Sequence, residues 1–428
     1  MDDIKKGGFF FLVKIAYRNI FRNFRRSTLC MIAISIAVFV SIFLSGFMEG
    51  MIDALKGDII SYETAHLSIN SMDYENKKIF NPVWFPLETG EPLDETLKKI
   101  SEVNGVEKVI PKIKTYASVQ DNFVKNAVIW GIDIKDEIAF HKKTKLAYFN
   151  QRTKDANDCL VDGRLPDNGK NECIVGIDLA KKMKVRVGDK ITMKLISSQL
   201  SDKFIKPEIV GIFDFDFNEI DRTYIIMPFD KIQKILNLTD KTTMLFVYAD
   251  NIKKTDVISN SIKEMYGGDE IKINKWNEHY WMVFLKGINV MMSIIYIAFF
   301  IVASFLIINT IIMAIHERMK EIGMMGALGM NRREIVIVFF NEAVILSLFG
   351  SLIGVIVGGG LTFLISLFPI DASAMTGNSM PISNTLYVKF SFLILLTGFL
   401  YGLGVSTVCT IFPSLKAAFV EPVEALRR

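Results

Sequence analysis

Residues 28–48 (TLCMIAISIAVFVSIFLSGFM) contain no charged position. About 20 apolar residues suffice to cross a hydrocarbon layer of about 30 Å as a helix, which satisfies its own backbone groups. The pattern recurs in apolar runs at 287–315, 335–368 and 390–412, giving further spans bounded at 283–315, 334–368 and 388–412. These three are long enough to tilt. A signal peptide is the rival reading of 28–48, but the basic region before it is long and no small-x-small cleavage site follows Gly46. Cys30 also lacks the Leu-small-small sequence that precedes a lipidated cysteine. The segment reads as an uncleaved anchor.

Orientation follows from Lys and Arg, which are retained in cytoplasmic loops. Lys14, Arg18, Arg22, Arg25 and Arg26 precede the first span; Arg318, Lys320, Arg332 and Arg333 lie between the second and third; Lys416, Arg427 and Arg428 follow the fourth. Segment 369–387 has no basic residue. Both termini are therefore expected in the cytoplasm, and 49–282 and the loop 369–387 outside it. Within 1–27, Val13, Ala16, Tyr17, Ile20, Phe21 and Phe24 recur at helical spacing with Lys14, Arg18 and Arg22 elsewhere. This predicts an amphipathic helix along the inner membrane surface, and the basic residues also set topology.

Across 49–282 the apolar runs give way to short alternating pieces separated by helical ones, which predicts a mixed α/β domain. Strands are expected at 65–70, 106–113, 127–132, 190–195, 208–213, 223–227 and 242–248, and helices at 93–103, 178–183, 229–236 and 255–266. The fold class is thus a membrane α-helical protein with four transmembrane helices in a 1+3 arrangement, carrying a large extracytoplasmic α/β domain between the first two. Half of the residues are apolar and 22% charged, and the net charge of +4 gives no reason to expect nucleic acid as a partner.

Chemistry is sparse. Among the four cysteines, Cys159 and Cys173 lie in the polar region, where a disulfide and two free thiols both remain open. The four histidines form no ligand cluster. The external segment holds no nucleophile elbow, HExxH or dinucleotide fingerprint, and Asp214, Asp216 and Glu219 read as a solvated loop. A binder or mechanical element is expected there, with no metal and no cofactor. The chain also lacks GxxxxGK[ST], so ATP has to be bound and hydrolysed by a partner subunit.

Loop 316–333 (HERMKEIGMMGALGMNRR) is too short for a domain. Ile315, Met319, Ile322 and Met325 or Gly326 recur at helical spacing, with Gly326 and Gly329 as stop and turn. The apolar side of such a helix needs lipid headgroups or another protein. Glu342 lies about two turns into the third span, where an unpaired carboxylate costs several kcal/mol. It is a functional candidate, or an interfacial Glu bonded to a neighbouring helix, Arg332 or Arg333. Gly350, Gly354 and Gly358, with Gly398 and Gly402, allow close helix approach within a subunit or across a dimer seam.

Four stretches together resemble the permease subunits related to MacB, FtsX and the lipoprotein-releasing LolC/LolE proteins, the type VII ABC transporters. AYRNIFRNFRRSTL (16–29) resembles the family's cytoplasmic amphipathic helix, and NTIIMAIHERMKEIGMMGALG (309–329) the end of its second span and coupling helix. VDGRLPDNGKNECIVGIDLAKKMKVRVGDKI (161–191) resembles the periplasmic core segment, and PSLKAAFVEPVEALRR (413–428) the family tail. The resemblance implies a bacterial inner-membrane dimer of permeases, homomeric or heteromeric, bound to two cytoplasmic ATPase subunits. It implies an ATPase-coupling contact at Glu317, Arg318, Glu321, Gly323 and Gly326. Residues 46–70 look most like LolE-type permeases, which implies lipoprotein release, with a lipoprotein substrate and a periplasmic carrier as partners. MacB-like efflux of periplasmic substrates and FtsX-like regulation of cell-wall hydrolases are the alternatives; an intramembrane enzyme has only Glu342 behind it.

Overall fold

A computed structural model describes residues 24–77, 80–119, 126–144, 160–267, 270–317, 331–371 and 385–418, with Ala16, Tyr17, Arg18, Ile20, Met319 and Met324. It divides into two units. The membrane unit takes in the described residues up to Met51, Gly287–Ile370 and those from Tyr387 onward; the external unit is Ile52–Lys286 with Asp371–Leu386.

Among the described residues, four long helices lie wholly or mostly in the membrane unit: α1 (Phe24–Asp58), α2 (Tyr280–Glu317), α3 (Arg332–Ser366) and α4 (Phe392–Ala418). Among the described residues, three helical stretches are long and apolar enough to cross a membrane: Ser27–Thr64, Arg333–Ser366 and Phe392–Ile411. In α2 the corresponding apolar stretch is the shorter Val290–Phe299. α3 opens with a capping box in which the Asn331 N–H donates to Glu334 Oε2 at 2.8 Å and the Asn331 side chain accepts from the helix.

Small residues decide how the helices pack. A Cβ on Gly350 would stand 3.0 Å from the Met31 carbonyl, one on Gly354 2.8 Å from the Ser35 carbonyl, and one on Gly358 3.0 Å from Phe39 Cα. Gly398 and Gly402 of α4 face Ile42 and Val38 of the same helix. The glycine rows therefore seat α1 against both α3 and α4 within one chain, which is one of the two arrangements their spacing allows. Ile34, Val38 and Ile42 form the buried seam, completed by Ile394, Val405 and Cys409. α2 adds one hydroxyl pair, Tyr296 Oη with Ser45 Oγ at 2.9 Å, and the Tyr401 hydroxyl donates to the Tyr296 carbonyl at 3.0 Å. Its Val290, Ile294, Ile297, Ile301 and Phe305 are exposed, as a lipid-facing or partner-facing surface requires. Of the N-terminal segment, Ala16 and Ile20 are buried within the protein and Tyr17 is exposed.

In the external unit eleven strands form one sheet, with β1 (Leu67–Ser71), β2 (Val106–Val119), β3 (Ala127–Ile132), β4 (Leu160–Gly163), β5 (Glu172–Gly176), β6 (Met193–Ile196), β7 (Asp202–Ile205), β8 (Glu208–Phe213), β9 (Tyr224–Pro228), β10 (Met244–Ala249) and β11 (Ile271–Lys275). The order is β11-β1-β10-β2-β3-β9-β5-β8-β4, with β6 and β7 branching from the far half of β2. β3–β9 and β5–β8 are parallel pairs and the other registered pairs antiparallel. β2 organises the unit because its 14 residues pair with β10 along one half and with β3 and β6 along the other. Its Ile113, Thr115, Ala117 and Val119 are buried at alternate positions, and the hydrophobic ones join Ile129, Ile225 and Ile232 in the largest core cluster.

Past residue 48, α1 runs on to Asp58 and continues as a π-helix, Ile59–Thr64. Residues 49–58 (EGMIDALKGD) contain no proline and several strong helix formers, so only the loss of apolarity marked the boundary in sequence, and apolarity reports lipid rather than helix. One expectation needs correction: of the acids after β8, Asp214 and Asp216 are tied in rather than solvated, whereas Glu219 is exposed as expected. Asp214 accepts the Asp216 N–H, Asp216 accepts the Thr385 hydroxyl, and the buried Asp221 accepts the N–H groups of Phe215 and Phe217 at 2.9 and 3.0 Å. Cys173 is fully buried in β5; Cys159 lies outside the described residues.

If the glycine rows seat α1, Gly354→Val will lower the thermal midpoint of the detergent-solubilised protein by the equivalent of about 1–3 kcal/mol. Gly360→Ala, which adds a Cβ with nothing within 4 Å, will leave it unchanged, and the pair of melting curves checks the assignment.

Candidate functional site

Three places carry candidate chemistry. At the cytoplasmic loop, Glu317 is the last residue of α2, and Arg318, Glu321, Gly323 and Gly326 lie outside the described residues. Met319 is helical and buried while Met324 is helical and exposed, and Met319 is one of the positions assigned to the apolar side of the loop helix. In α3, Glu342 is half-buried and partnered rather than an isolated charge, and the neighbouring Asn341 Nδ2 has no hydrogen-bond acceptor.

The third is a cavity of about 450 Å³ in the external unit, which sequence reasoning did not find. Its walls include Tyr62, Glu63 and Thr64 from the π-helix, Lys114 and Tyr116 from β2, Trp130 from β3, Phe246 from β10, and Glu278, His279 and Tyr280 where α2 begins. Lys114 Nζ lies 3.3 Å from both Glu63 carboxylate oxygens, and the Tyr224 hydroxyl donates to Glu63 Oε1 at 3.4 Å. Burial opposes the charge on Lys114, but Glu63 and Tyr224 outweigh it and hold its pKa well above the ordinary lysine value. Two residues earlier on the same strand face, Lys112 is wholly buried and ion-paired with Glu137. Its Nζ sits 4.4 Å from the Trp130 ring centre and 4.1 Å from that of Phe246. Burial lowers the Lys112 pKa and Glu137 pulls it back. Removing one member of such a pair is far costlier than the pair's net stabilisation, so Lys112 and Glu137 fix the local fold.

The signal for these residues was present but unspecific. Lys108, Lys112 and Lys114 occupy even positions of a strand of mixed polarity, which reads equally as a solvated face.

The join between the π-helix and β1 is conformationally unusual. Ala65 has φ 52° and ψ −155°, a region that favours glycine, and it is fully buried. Such a residue costs about 1–3 kcal/mol and persists because its surroundings fix it. The surroundings are specific: Tyr62 stacks on Phe215 and Phe217 with ring centres 5.7 and 5.5 Å apart, and His66 Nδ1 accepts the Ala249 N–H at 2.9 Å. That acceptor requires neutral imidazole at Nδ1, and burial lowers the His66 pKa to about 4.

Comparison with known proteins gives two family matches. The MacB-like periplasmic core domain matches residues 27–265, more than half of the chain, and the FtsX-like permease C-terminal domain matches residues 293–422. The chain belongs to the MacB and FtsX-type permeases. It is a multi-pass membrane protein, an ABC transporter permease of the MacB/LolC/LolE type, whose family implies an ATPase partner. The permease is 25% identical over 337 residues to the lipoprotein-releasing system transmembrane protein LolC of Xylella fastidiosa, covering 74% of this chain and 76% of that one. It is 35% identical over 121 residues to the macrolide export ATP-binding/permease protein MacB of Chlorobium luteolum, covering 28% of this chain and 16% of that protein. The periplasmic region of MacB from Actinobacillus actinomycetemcomitans aligns with a TM-score of 0.33 at 9% identity, over 51% of this chain and 91% of that one.

The acid response of the permease follows from His66. Its folded pKa, about 4, lies below the ordinary value of 6.5, so its contribution is complete above pH 6.5 and is lost as pH falls toward 4. Denaturant unfolding of the full chain between pH 7.5 and 4.5 will show this loss, up to about 1.4 kcal/mol per pH unit from this group. His66→Gln, which keeps an acceptor without titrating, will flatten that part of the slope.

Proposed function

We propose that this permease transmits the motion of a separate cytoplasmic ATPase to its external unit, and that the work done there is lipoprotein release from the bacterial inner membrane. Four transmembrane helices serve this function in a 1+3 arrangement with both termini cytoplasmic, α2 supplying the second span. The permease acts as a dimer with a second permease, a homomer or a heteromer, and its external work delivers a lipoprotein to a periplasmic carrier.

The observation that carries the reading is the continuity of α1 and α2 across the division between the two units. α1 is unbroken from Phe24 to Asp58 and α2 from Tyr280 to Glu317, while the units divide at residues 51/52 and 286/287. A displacement at the cytoplasmic end of either helix meets no break before the external unit. The loop that follows α2 is the natural grip for the ATPase, with Glu317, Arg318, Glu321, Gly323 and Gly326 as the contact and Glu342 as a polar support one helix away. Lipoprotein release is favoured over efflux because the LolC relative matches along most of both chains, whereas the MacB relative matches a short segment.

The experiment pairs the permease with its ATPase in proteoliposomes carrying a triacylated lipoprotein. ATP is expected to move the lipoprotein into the soluble fraction, and Glu321→Lys is expected to reduce ATPase recruitment and release together, by about tenfold or more, without lowering the thermal midpoint. ATP-driven expulsion of small apolar solutes with no lipoprotein release would favour the efflux reading. Unchanged ATPase binding in Glu321→Lys would remove the coupling assignment.

A further inference from the structure

The cavity beside Glu63 and Lys114 plays no part in the transport reading, and its lining is chemically one-sided. Four carboxylates line it, those of Glu63, Glu75, Glu219 and Glu278, against two lysines, Lys114 and Lys275. Both lysines are already engaged: Lys114 with Glu63, and Lys275 at 2.6 Å with Asp256, which lies outside the cavity, and at 4.0 Å with Glu278. Glu75 accepts amide N–H groups from Asn70 and Asn274. Glu219 stands at the exposed rim, where partial desolvation and then the nearby Glu63 raise its pKa, with Lys114 opposing. Negative charge is thus in excess where Glu219 and Glu63 approach.

Ring faces supply the second half of the chemistry. Trp130 and Phe246 form the floor, and Tyr116 and Tyr280 at the mouth keep 40% and 61% of their surface exposed. A cation within about 6 Å of such a ring centre is attracted by its quadrupole, more strongly as water is excluded. The protein contains its own example, since Lys112 holds its ammonium between Trp130 and Phe246 with Glu137 as counter-charge. The open volume next to it repeats rings and carboxylates, and about 450 Å³ is room for far more than a bare ion.

We propose that this cavity is a binding site for an organic cation, an ammonium or guanidinium group carried on an apolar body, with Glu219 as counter-charge and the rings of Tyr116 and Tyr280 closing over it. The apolar body rests on Met244, Phe246 and Trp130. Because residues 62–64 and 278–280 form part of the wall, the ligand touches the segment that ends the first long helix and the one that starts the second. The cation can come from a free amphiphilic amine or from a lysine side chain of a polypeptide.

The test is calorimetric titration of the full-length permease in detergent, without nucleotide or ATPase, so that its failure leaves the transport reading untouched. Two probe pairs distinguish the sources: 4-phenylbutylamine against 4-phenylbutanol, and acetyl-Phe-Lys-Phe-amide against the same peptide with norleucine. In at least one pair the cation will bind about tenfold more tightly than its uncharged partner, a difference of about 1.4 kcal/mol. Binding in the amine pair alone supports a small-molecule ligand; binding in the peptide pair alone supports a polypeptide. Glu219→Gln and Tyr280→Ala will each abolish most of that preference. Glu88→Gln, at an exposed acid paired with Lys241 outside the cavity, will keep it. Glu219 is at the surface, so its variant will retain the wild-type melting curve. Equal affinity for charged and uncharged probes, no heat at about 10 mM probe, or an unaltered preference in Glu219→Gln would overturn the proposal.

Discussion

The close approach of α1 to α3 and α4 is the constraint on which the membrane unit rests. In lipid no hydrophobic force draws apolar helices together, so association depends on how closely backbones can meet. Gly350, Gly354 and Gly358 present a smooth groove to Met31, Ser35 and Phe39, and Gly398 and Gly402 do the same for Ile42 and Val38. One helix is thereby held on two sides along a seam of Ile34, Val38 and Ile42. α2 bonds to α1 and α4 through Tyr296 and leaves Val290, Ile294, Ile297, Ile301 and Phe305 exposed.

The external unit treats the end of α1 differently. There the helix widens into a π-turn, Tyr62 is clamped by aromatic rings, Glu63 is fixed by Lys114, and Ala65 is held in a conformation that an alanine alone would avoid. Each of these restraints belongs to the external sheet or to the segment feeding it. The strain at Ala65 is borne because His66, fixed by the Ala249 N–H, and β1 that follows are locked. On the proposed reading, force reaching the end of α1 is delivered to β2 and β9 through Glu63 rather than dissipated in a loose linker.

Much of the fold was legible in the sequence. Continuous apolar runs marked the membrane helices, and short apolar, β-branched pieces placed β3 and β8 to the residue. β4 (LVDG), β5 (ECIVG), β7 (DKFI) and β11 (IKINK) escaped because each is short and carries a charged residue that breaks the apolar signal, and the helix Ile134–Thr144 because its polar face dominates. The extension of α1 beyond residue 48 was hidden for a related reason: outside lipid a helix need not be apolar. The loop at 316–333 offered an amphipathic pattern but lies mostly outside the described residues, whereas the Glu63–Lys114 and Glu137–Lys112 pairs join residues 51 and 25 positions apart and exist only once the sheet is formed. Asp214 and Asp216 were misread because their partners are a backbone N–H group and a distant threonine, which no spacing reveals.

The central claim is mechanical: a helix continuous from the membrane into the external unit carries the stroke. It is tested most directly by inserting Gly-Gly-Ser-Gly between Asp53 and Ala54 and assaying the permease with its ATPase in proteoliposomes. The account predicts normal ATPase binding and ATP hydrolysis with the external work lost. Full external work from a permease whose first helix has been made flexible at that point would contradict it.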